Sequence, residues 1–239
     1  MILTINDINN NPFVFDETND FAVVYKPPRM HSAPLQNSGG DTLVDWYGKG
    51  SLLHRLDFET HGLVLFAKNQ QSFDFLLTQQ EQGNFIKEYS AICQKFAVAP
   101  ASFPPPPFPL SPTIAGAAIE SFFRPFGPGR KQVRPVTDGN AKKEIAKDHG
   151  GYYRTEIVNV IDNIADNGHY AFTVRLIRGF RHQIRCHLAW IGCPVVNDPI
   201  YGEQPVTDGF LALRSHGLFF PDPAGGEQRE YRIEALLYP

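Results

Sequence analysis

The strongest constraint on the fold is a pair of strand-length runs joined by a tight-turn signal. "YYRTEIVNVI" (Tyr152–Ile161) and "HYAFTVRLI" (His169–Ile177) are rich in β-branched and aromatic residues and bracket "DNIADNG". Asp166-Asn167-Gly168 in that connection is a strong hairpin signal, because Asn and Gly accept the positive φ such turns require. Other strand-like runs are "FAVVYK" (Phe21–Lys26), closed by Pro27-Pro28, "GLVLFAK" (Gly62–Lys68), and "AAIESFFRPF" ending at Phe126. "FIKEYSAIC" (Phe85–Cys93) alternates: Phe85, Lys87, Tyr89, Ala91 and Cys93 share one face, and Ile86, Glu88, Ser90 and Ile92 the other. Short strands are expected near Leu211–Leu213, Leu218–Phe220 and Tyr231–Leu236.

Helical signals are fewer. Asp41 can cap a helix through Thr42–Tyr47. Between Ser72 and Gln82, Phe73, Leu76 and Leu77 recur at helical spacing, with Gly83 as the stop. "RHQIRCHLAWIG" predicts a helix ending at Gly192, with Ile184, Leu188 and Ile191 in one core-facing stripe. Many strands, few helices and a hairpin predict an α+β fold on a mixed, largely antiparallel sheet flanked by helices and loops. Between about residues 97 and 116, "APASFPPPPFPLSP" cannot feed a sheet ladder and reads as an extended surface loop. Strand-like text resumes on both sides, so residues 1–239 are expected to form a single domain.

Bulk properties exclude some classes. The longest apolar runs fall far short of the ~18 residues of a membrane span. Met1 is followed by "ILTINDINNNPF", which carries none of the marks of a secretory signal. Three cysteines, Cys93, Cys186 and Cys193, suit a reducing cytoplasm better than a disulfide framework. The net charge of −3 argues mildly against a nucleic-acid partner. Its distribution argues the other way. Arg124, Arg130, Lys131, Arg134, Lys142, Lys143 and Lys147 face only Asp138 and Glu144 in one segment, and Arg175, Arg178, Arg181 and Arg185 lie in another without any acid. The plain alternative is two solvated segments.

Arg181 and Arg185, four apart, should lie together on one flank of the expected helix, at the rim of a groove, where guanidinium can fork onto phosphate or carboxylate. Surface ion pairs are the alternative. His182, Cys186, His187 and Cys193 suggest metal ligands, but no CxxC or HExxH spacing accompanies them, so no metal is expected. No G-x-S-x-G elbow, P-loop or G-x-G-x-x-G fingerprint is present.

The segment His54-Arg55-Leu56-Asp57-x-x-Thr60-x-Gly62-Leu63-x-Leu65-x-Ala67-Lys68 closely resembles the H-R-L-D-x-x-T-S-G-L-L-x-x-A-K signature of RluA-like RNA pseudouridine synthases. Three further matches follow the order of that family. Lys26-Pro27 resembles its "K-P" turn, Lys87-x-Tyr89-x-Ala91 its "K-x-Y-x-A" strand, and "HQIRCHLAWIGCPVVNDPIYG" (His182–Gly202) its "HQIRxHLxxxGxPIxGDxxYG" block. The resemblance covers nearly the whole chain from about Val14. It implies the bisected sheet of that catalytic domain, no cofactor, and isomerisation of uridine in ribosomal or transfer RNA by a stand-alone protein expected to act as a monomer in the cytoplasm.

The resemblance carries Asp57, Tyr89 and Arg185 over as catalytic residues, and His54, Arg55, Thr60, Lys87, Arg181, His182 and Gln183 as RNA-binding ones. The chemistry fits. Cleaving a C–N glycosidic bond without a cofactor needs a carboxylate at the sugar, as nucleophile at C1′ or base at C2′. A carboxylate shut away from water needs a nearby cation, which Arg185 can supply. A uridine stacked in folded RNA must be flipped out first. The sequence departs from the family at His61, where serine is usual, at Phe180, where arginine is usual, and at Leu213-Arg214-Ser215, where "L-H-A" is usual. No S4-like RNA-binding domain is expected ahead of the catalytic region. The alternatives are a non-catalytic RNA-binding or ribosome-assembly protein that keeps the fold, and a metalloprotein using His182 and Cys186.

Overall fold

The computed structural model describes residues 11–34, 41–95, 98–109, 114–137, 152–164, 168–202 and 209–236. Its elements are β1 (Phe13–Glu17), β2 (Phe21–Lys26), α1 (Leu43–Tyr47), β3 (Ser51–Leu52), β4 (His61–Ala67), α2 (Gln70–Glu81), β5 (Ile86–Gln94), β6 (Ala118–Phe126), β7 (Gln132–Val136), β8 (Tyr153–Ile164), β9 (His169–Leu176), α3 (Gln183–Trp190), β10 (Leu213–Pro221) and β11 (Gln228–Arg232). They fall into two compact units, Met1–Tyr89 with Leu213–Ala235, and Ser90–Ala212 with Leu236–Pro239, so the chain passes from one to the other inside β5.

In the first unit the strand order is β1-β2-β4-β10-β5, with β3 paired to β4 and β11 to β10. β2 and β4 are buried along their whole length, as their apolar runs Phe21–Tyr25 and Leu63–Ala67 require, with Lys26 and His61 buried at one end of each. Phe21, Val23, Tyr25, Leu63, Leu65, Phe85, Leu218 and Phe220 form the core with Leu76 of α2. β4 runs antiparallel to β2 and parallel to β10, which sets Arg214 opposite His61 and Ser215 opposite Gly62. Gly62 is obligatory there: at φ 122, an added Cβ would lie 2.2 Å from the Ser215 carbonyl oxygen.

The helix starts differ from the sequence expectation. Thr42, not Asp41, caps α1, through a capping box with Asp45. Asn69 caps α2 by accepting from Ser72 N at 2.8 Å, so the helix starts two residues before Ser72. Leu77, expected inside, is 40% exposed, whereas Leu76 is fully buried. The two short strands expected near Leu211–Leu213 and Leu218–Phe220 are one strand, β10.

In the second unit the order is β5-β9-β8-β6-β7. β8 and β9 pair antiparallel, the arrangement expected for the hairpin, while Asp166 and Asn167 of the turn lie outside the described residues. Lys142, Lys143 and Lys147 of the basic segment also lie outside them. α3 contributes Cys186 and Ala189 to a cluster with Phe123, Val133, Tyr153 and Tyr201. Every residue of α3 is buried, which corrects the expectation of a single core-facing stripe. No helix among the described residues is long and apolar enough to cross a membrane.

Candidate active site

Asp57 sits on the loop between β3 and β4, and that loop is fastened at several points. Ser32 Oγ donates to Leu56 O at 2.9 Å and accepts from Leu56 N at 3.0 Å. Thr60 N donates to Asp57 O at 3.1 Å. Leu65 N donates to His54 Nε2 at 3.2 Å, which ties the loop to β4 and fixes His54 as a neutral imidazole protonated on Nδ1. Lys26, fully buried at the end of β2, donates to Pro27 O at 2.9 Å, Met30 O at 2.7 Å and Phe58 O at 3.3 Å. Three carbonyls match the three donors of an ammonium. Burial pulls Lys26 down to about 7, opposed by the negative charges of Asp57 and then Glu59. The loop bearing Asp57 is therefore pinned to a buried cation.

β5 carries Lys87 and Tyr89 on one face, as the alternation predicted. Tyr89 is buried; desolvation raises its pKa, the charge of Asp57 raises it further, and a hydrogen bond with the Ser215 side chain lowers it. Asp57 and Tyr89 are thus in electrostatic reach of each other. Burial lowers Lys87 to about 8, and its ammonium lies 4.7 Å from the Phe85 ring centroid. Burial, then the Lys87 charge, lowers His54 to about 3. Thr60 is buried, whereas Arg55 is exposed. His54, Asp57, Lys87 and Tyr89 therefore gather in the first unit. Among the described residues, buried side-chain atoms without a hydrogen-bond partner include Tyr25 Oη, His54 Nδ1, Thr60 Oγ1 and His61 Nδ1 here, while others such as Gln80 Oε1 and His169 Nδ1 lie elsewhere. The first four lie on this loop or on β2 and β4, an unusual concentration in a folded interior and one suited to a hydrogen-bonding ligand.

Two of the departures from the family signature meet in space. Arg214 Nε donates to His61 Nε2 at 3.1 Å, and Arg214 also donates to Glu234 O at 3.0 Å. Both side chains are buried. Desolvation, then the charges of Arg214 and Lys26, lower His61 to about 3, so it is a neutral acceptor. The histidine and the arginine are one hydrogen-bonded unit bridging β4 and β10.

In the second unit, Arg185 Nε donates to Asp198 Oδ2 at 2.7 Å and one terminal nitrogen to Asp198 Oδ1 at 2.7 Å. The side chains are 2% and 0% exposed. Asp198 Oδ1 also accepts from Ile200 N at 2.9 Å and Tyr201 N at 3.1 Å. Arg185 is therefore an interior residue, not a rim residue as its helical position suggested. Arg181 differs too. It precedes α3, whose cap His182 has φ 57, and it is exposed, donating to Arg130 O at 2.7 Å and Gln132 O at 3.2 Å. The pair do not share a helix flank.

His182 Nδ1 lies 3.3 Å from Tyr201 Oη and Cys186 Sγ donates to Val133 O at 3.5 Å, so these two do not converge on a common point. Among the described residues no group of three His, Cys, Asp or Glu could hold a metal ion. Gln183 is buried; its amide donates to Arg154 O at 3.0 Å and Thr155 Oγ1 at 3.1 Å and accepts from Phe180 N at 2.9 Å. Phe180, the aromatic in the place of arginine, stacks on Phe123 at 5.1 Å and 5° and tilts against Tyr153. It closes the α3 cluster rather than facing outward as a charge would. Sequence reasoning passed over Asp198, although "NDPIYG" lay inside the quoted block, and over Lys26, Arg214 and Ser215 as members of the site.

These features define an α+β catalytic domain of the pseudouridylate synthase type. Two solved human structures share the fold. RNA Pseudouridylate Synthase Domain Containing 1 superposes with a TM-score of 0.64 at 18% identity, covering 94% of this chain and 83% of that one. RNA Pseudouridylate Synthase Domain Containing 4 gives 0.62 at 15% identity, covering 93% and 88%. A family model described as RNA pseudouridylate synthase matches residues 20–190, and the chain belongs to that family.

Among its relatives, an uncharacterized protein of Caenorhabditis elegans is 31% identical over 80% of this chain and 39% of its own length. Ribosomal large subunit pseudouridine synthase D of Buchnera aphidicola is 26% identical over 78% of this chain and 53% of its own length. Ribosomal large subunit pseudouridine synthase C of Rickettsia typhi is 26% identical over the same shares. The chain spans about half the length of these curated relatives or less.

Proposed function

We propose that the protein isomerises uridine in ribosomal or transfer RNA to pseudouridine, with Asp57 as the essential carboxylate. The observation that carries this reading is the loop itself: Asp57 is held by fixed backbone, and its charge acts on both buried Lys26 and buried Tyr89. A carboxylate so fixed suits attack at C1′ or proton removal at C2′ of a flipped uridine. The C1′–N1 bond breaks, the uracil turns, C5 bonds to C1′, the C5 proton leaves, and N1 takes up a proton from solvent.

Tyr89, beside Asp57, is suited to stack on the uracil or to assist that last proton transfer. Arg185 takes the role of the family's arginine, with Asp198 fixing its guanidinium plane. His54, Thr60 and Lys87 line the uridine subsite, and Arg55, Arg181, His182 and Gln183 serve RNA binding, Gln183 by holding the turn before α3. The protein acts as a monomer in the cytoplasm, without a cofactor.

The test is tritium release from RNA labelled with 5-³H-uridine. The wild-type protein releases tritium from at least one class of cellular RNA, and Asp57→Asn releases none while still binding RNA. A wild-type protein inert on every class, or an Asp57→Asn variant that keeps its activity, overturns the reading. Site mapping of pseudouridine in RNA from cells lacking the protein then identifies the target.

A further inference from the structure

The Asp57 loop turns one aromatic side chain outward. Phe58 is 40% exposed, yet its backbone is fastened, because Phe58 O accepts from buried Lys26. Its ring lies 4.6 Å from that of His31, tilted by 38°. His31 is held as well: its carbonyl accepts from Leu43 N at 2.9 Å, at the first turn of α1. Two rings thus form a shelf on two fixed segments, and slack in the loop does not account for the exposure. Singly exposed apolar residues are ordinary. A fastened, paired aromatic shelf directly beside a reactive carboxylate is a different case.

The surroundings are charged. Arg29 and Arg55 are exposed near it in sequence, and Glu59 stands 3.9 Å from Arg29 Nε in a mostly open pair. Exposed aromatic faces with guanidinium groups at their edge are the chemistry by which proteins hold single-stranded nucleic acid, the rings stacking on bases and the cations facing phosphates. Flipping a uridine toward Asp57 unstacks the base next to it in the strand. Phe58 directly follows Asp57 in the chain, which suits the shelf to the base freed beside a flipped uridine.

We infer that Phe58 and His31 form a stacking shelf for the nucleobase adjacent to the target uridine, a second RNA subsite beside the one that holds the uridine. The inference rests on the RNA-modifying reading above. The shelf reads a ring face, so it tolerates all four bases and rejects an abasic position.

The experiment is fluorescence anisotropy with a labelled five-nucleotide RNA, AAUAA, and with versions made abasic at either neighbour of the uridine. For wild-type protein, one abasic substitution weakens binding roughly five- to one-hundredfold, the range for losing one base–aromatic stack. Phe58→Ala weakens binding of the intact RNA by a similar factor and abolishes the abasic penalty, while Phe58→Tyr keeps both. An intact-RNA affinity within about twofold of wild type in Phe58→Ala, or an abasic penalty undiminished in it, overturns the shelf. If Phe58→Ala loses its native melting transition, His31→Ala carries the same comparison. Tritium release separates the two claims. A wild-type protein inert on all RNA defeats both, whereas an active wild type with an indifferent Phe58→Ala defeats the shelf alone.

Discussion

Asp198→Asn is the sharpest test of how α3 is held. The wild-type carboxylate takes two 2.7 Å bonds from Arg185 and two more from the backbone of Ile200 and Tyr201, with both side chains essentially out of water. Asparagine keeps the shape and one acceptor oxygen. With that oxygen at the Oδ1 position, the backbone bonds survive, but the new amide faces the Arg185 Nε–H, donor against donor. The buried guanidinium also loses the charge of the carboxylate it forks onto. Removing one partner of a buried, hydrogen-bonded ion pair costs about 3–5 kcal/mol. At roughly 2–4 °C per kcal/mol for a chain of this size, the melting midpoint should fall by about 6–20 °C.

Calorimetry with urea titration measures this. Adding Arg185→Met to Asp198→Asn should recover most of the lost stability, because the asparagine oxygen keeps the backbone bonds from Ile200 and Tyr201 and no guanidinium is left buried without its carboxylate. That double variant should release no tritium from labelled RNA. A midpoint for Asp198→Asn within about 2 °C of wild type would show that the pair is not desolvated as described. A double variant less stable than Asp198→Asn would refute the energetic argument too.

Asp57→Asn should abolish isomerisation with no change in melting midpoint beyond a few degrees, since Asp57 is only partly buried; retained turnover would remove it from the chemistry. His61 and His187 are buried and held near 3 by desolvation. Their folded pKa lies below the unfolded value, so the unfolded chain binds the extra protons and stability falls as pH drops from about 6.5 toward 3. Between pH 7 and 5.5 the two together should cost about 2–3 kcal/mol, and equal urea midpoints at the two pH values would contradict this. Lys26 is likewise depressed, to about 7. Wild type should therefore gain stability relative to Lys26→Met as pH rises from about 7 to 10, on the order of 1 kcal/mol per pH unit. A pH-independent difference between the two proteins would sink that reading.

What the sequence disclosed, and what it hid, divides along one physical line. β2 is apolar up to its last residue, Lys26, and its boundaries are readable from "FAVVYK" alone, because a strand buried on both faces has few polar interruptions. In the sequence β10 reads as two fragments, because Arg214, Ser215, His216 and Gly217 look like a loop. Inside the fold each polar member has a distant partner: Arg214 with His61, Ser215 with Leu63 O, and His216 with Glu88.

α3 misled for the same reason. Arg185 and His187 imply a wet face, but Arg185 is neutralised by Asp198, and His187 sits between Ser121 Oγ at 2.9 Å and Thr155 Oγ1 at 2.8 Å. Pairings between residues so far apart along the chain leave no local periodicity to detect. β7 was hidden by Pro135, which usually argues against a strand. The Asp57 loop was legible only through a family motif, because its fastening by Lys26 and Ser32 is long-range.

The contact between His61 and Arg214 has a consequence for how such chains diverge. Each residue, scored alone against the family pattern, counts as a defect. Together they are a mutually dependent substitution: a buried arginine needs an acceptor, and serine at position 61 is too short to supply the same imidazole nitrogen. Changing either position alone removes the bond that the other makes, so the two substitutions should behave as an epistatic pair in a double-mutant cycle. Lineages bearing arginine at the position of Arg214 should carry histidine, or another acceptor of equal reach, at the position of His61.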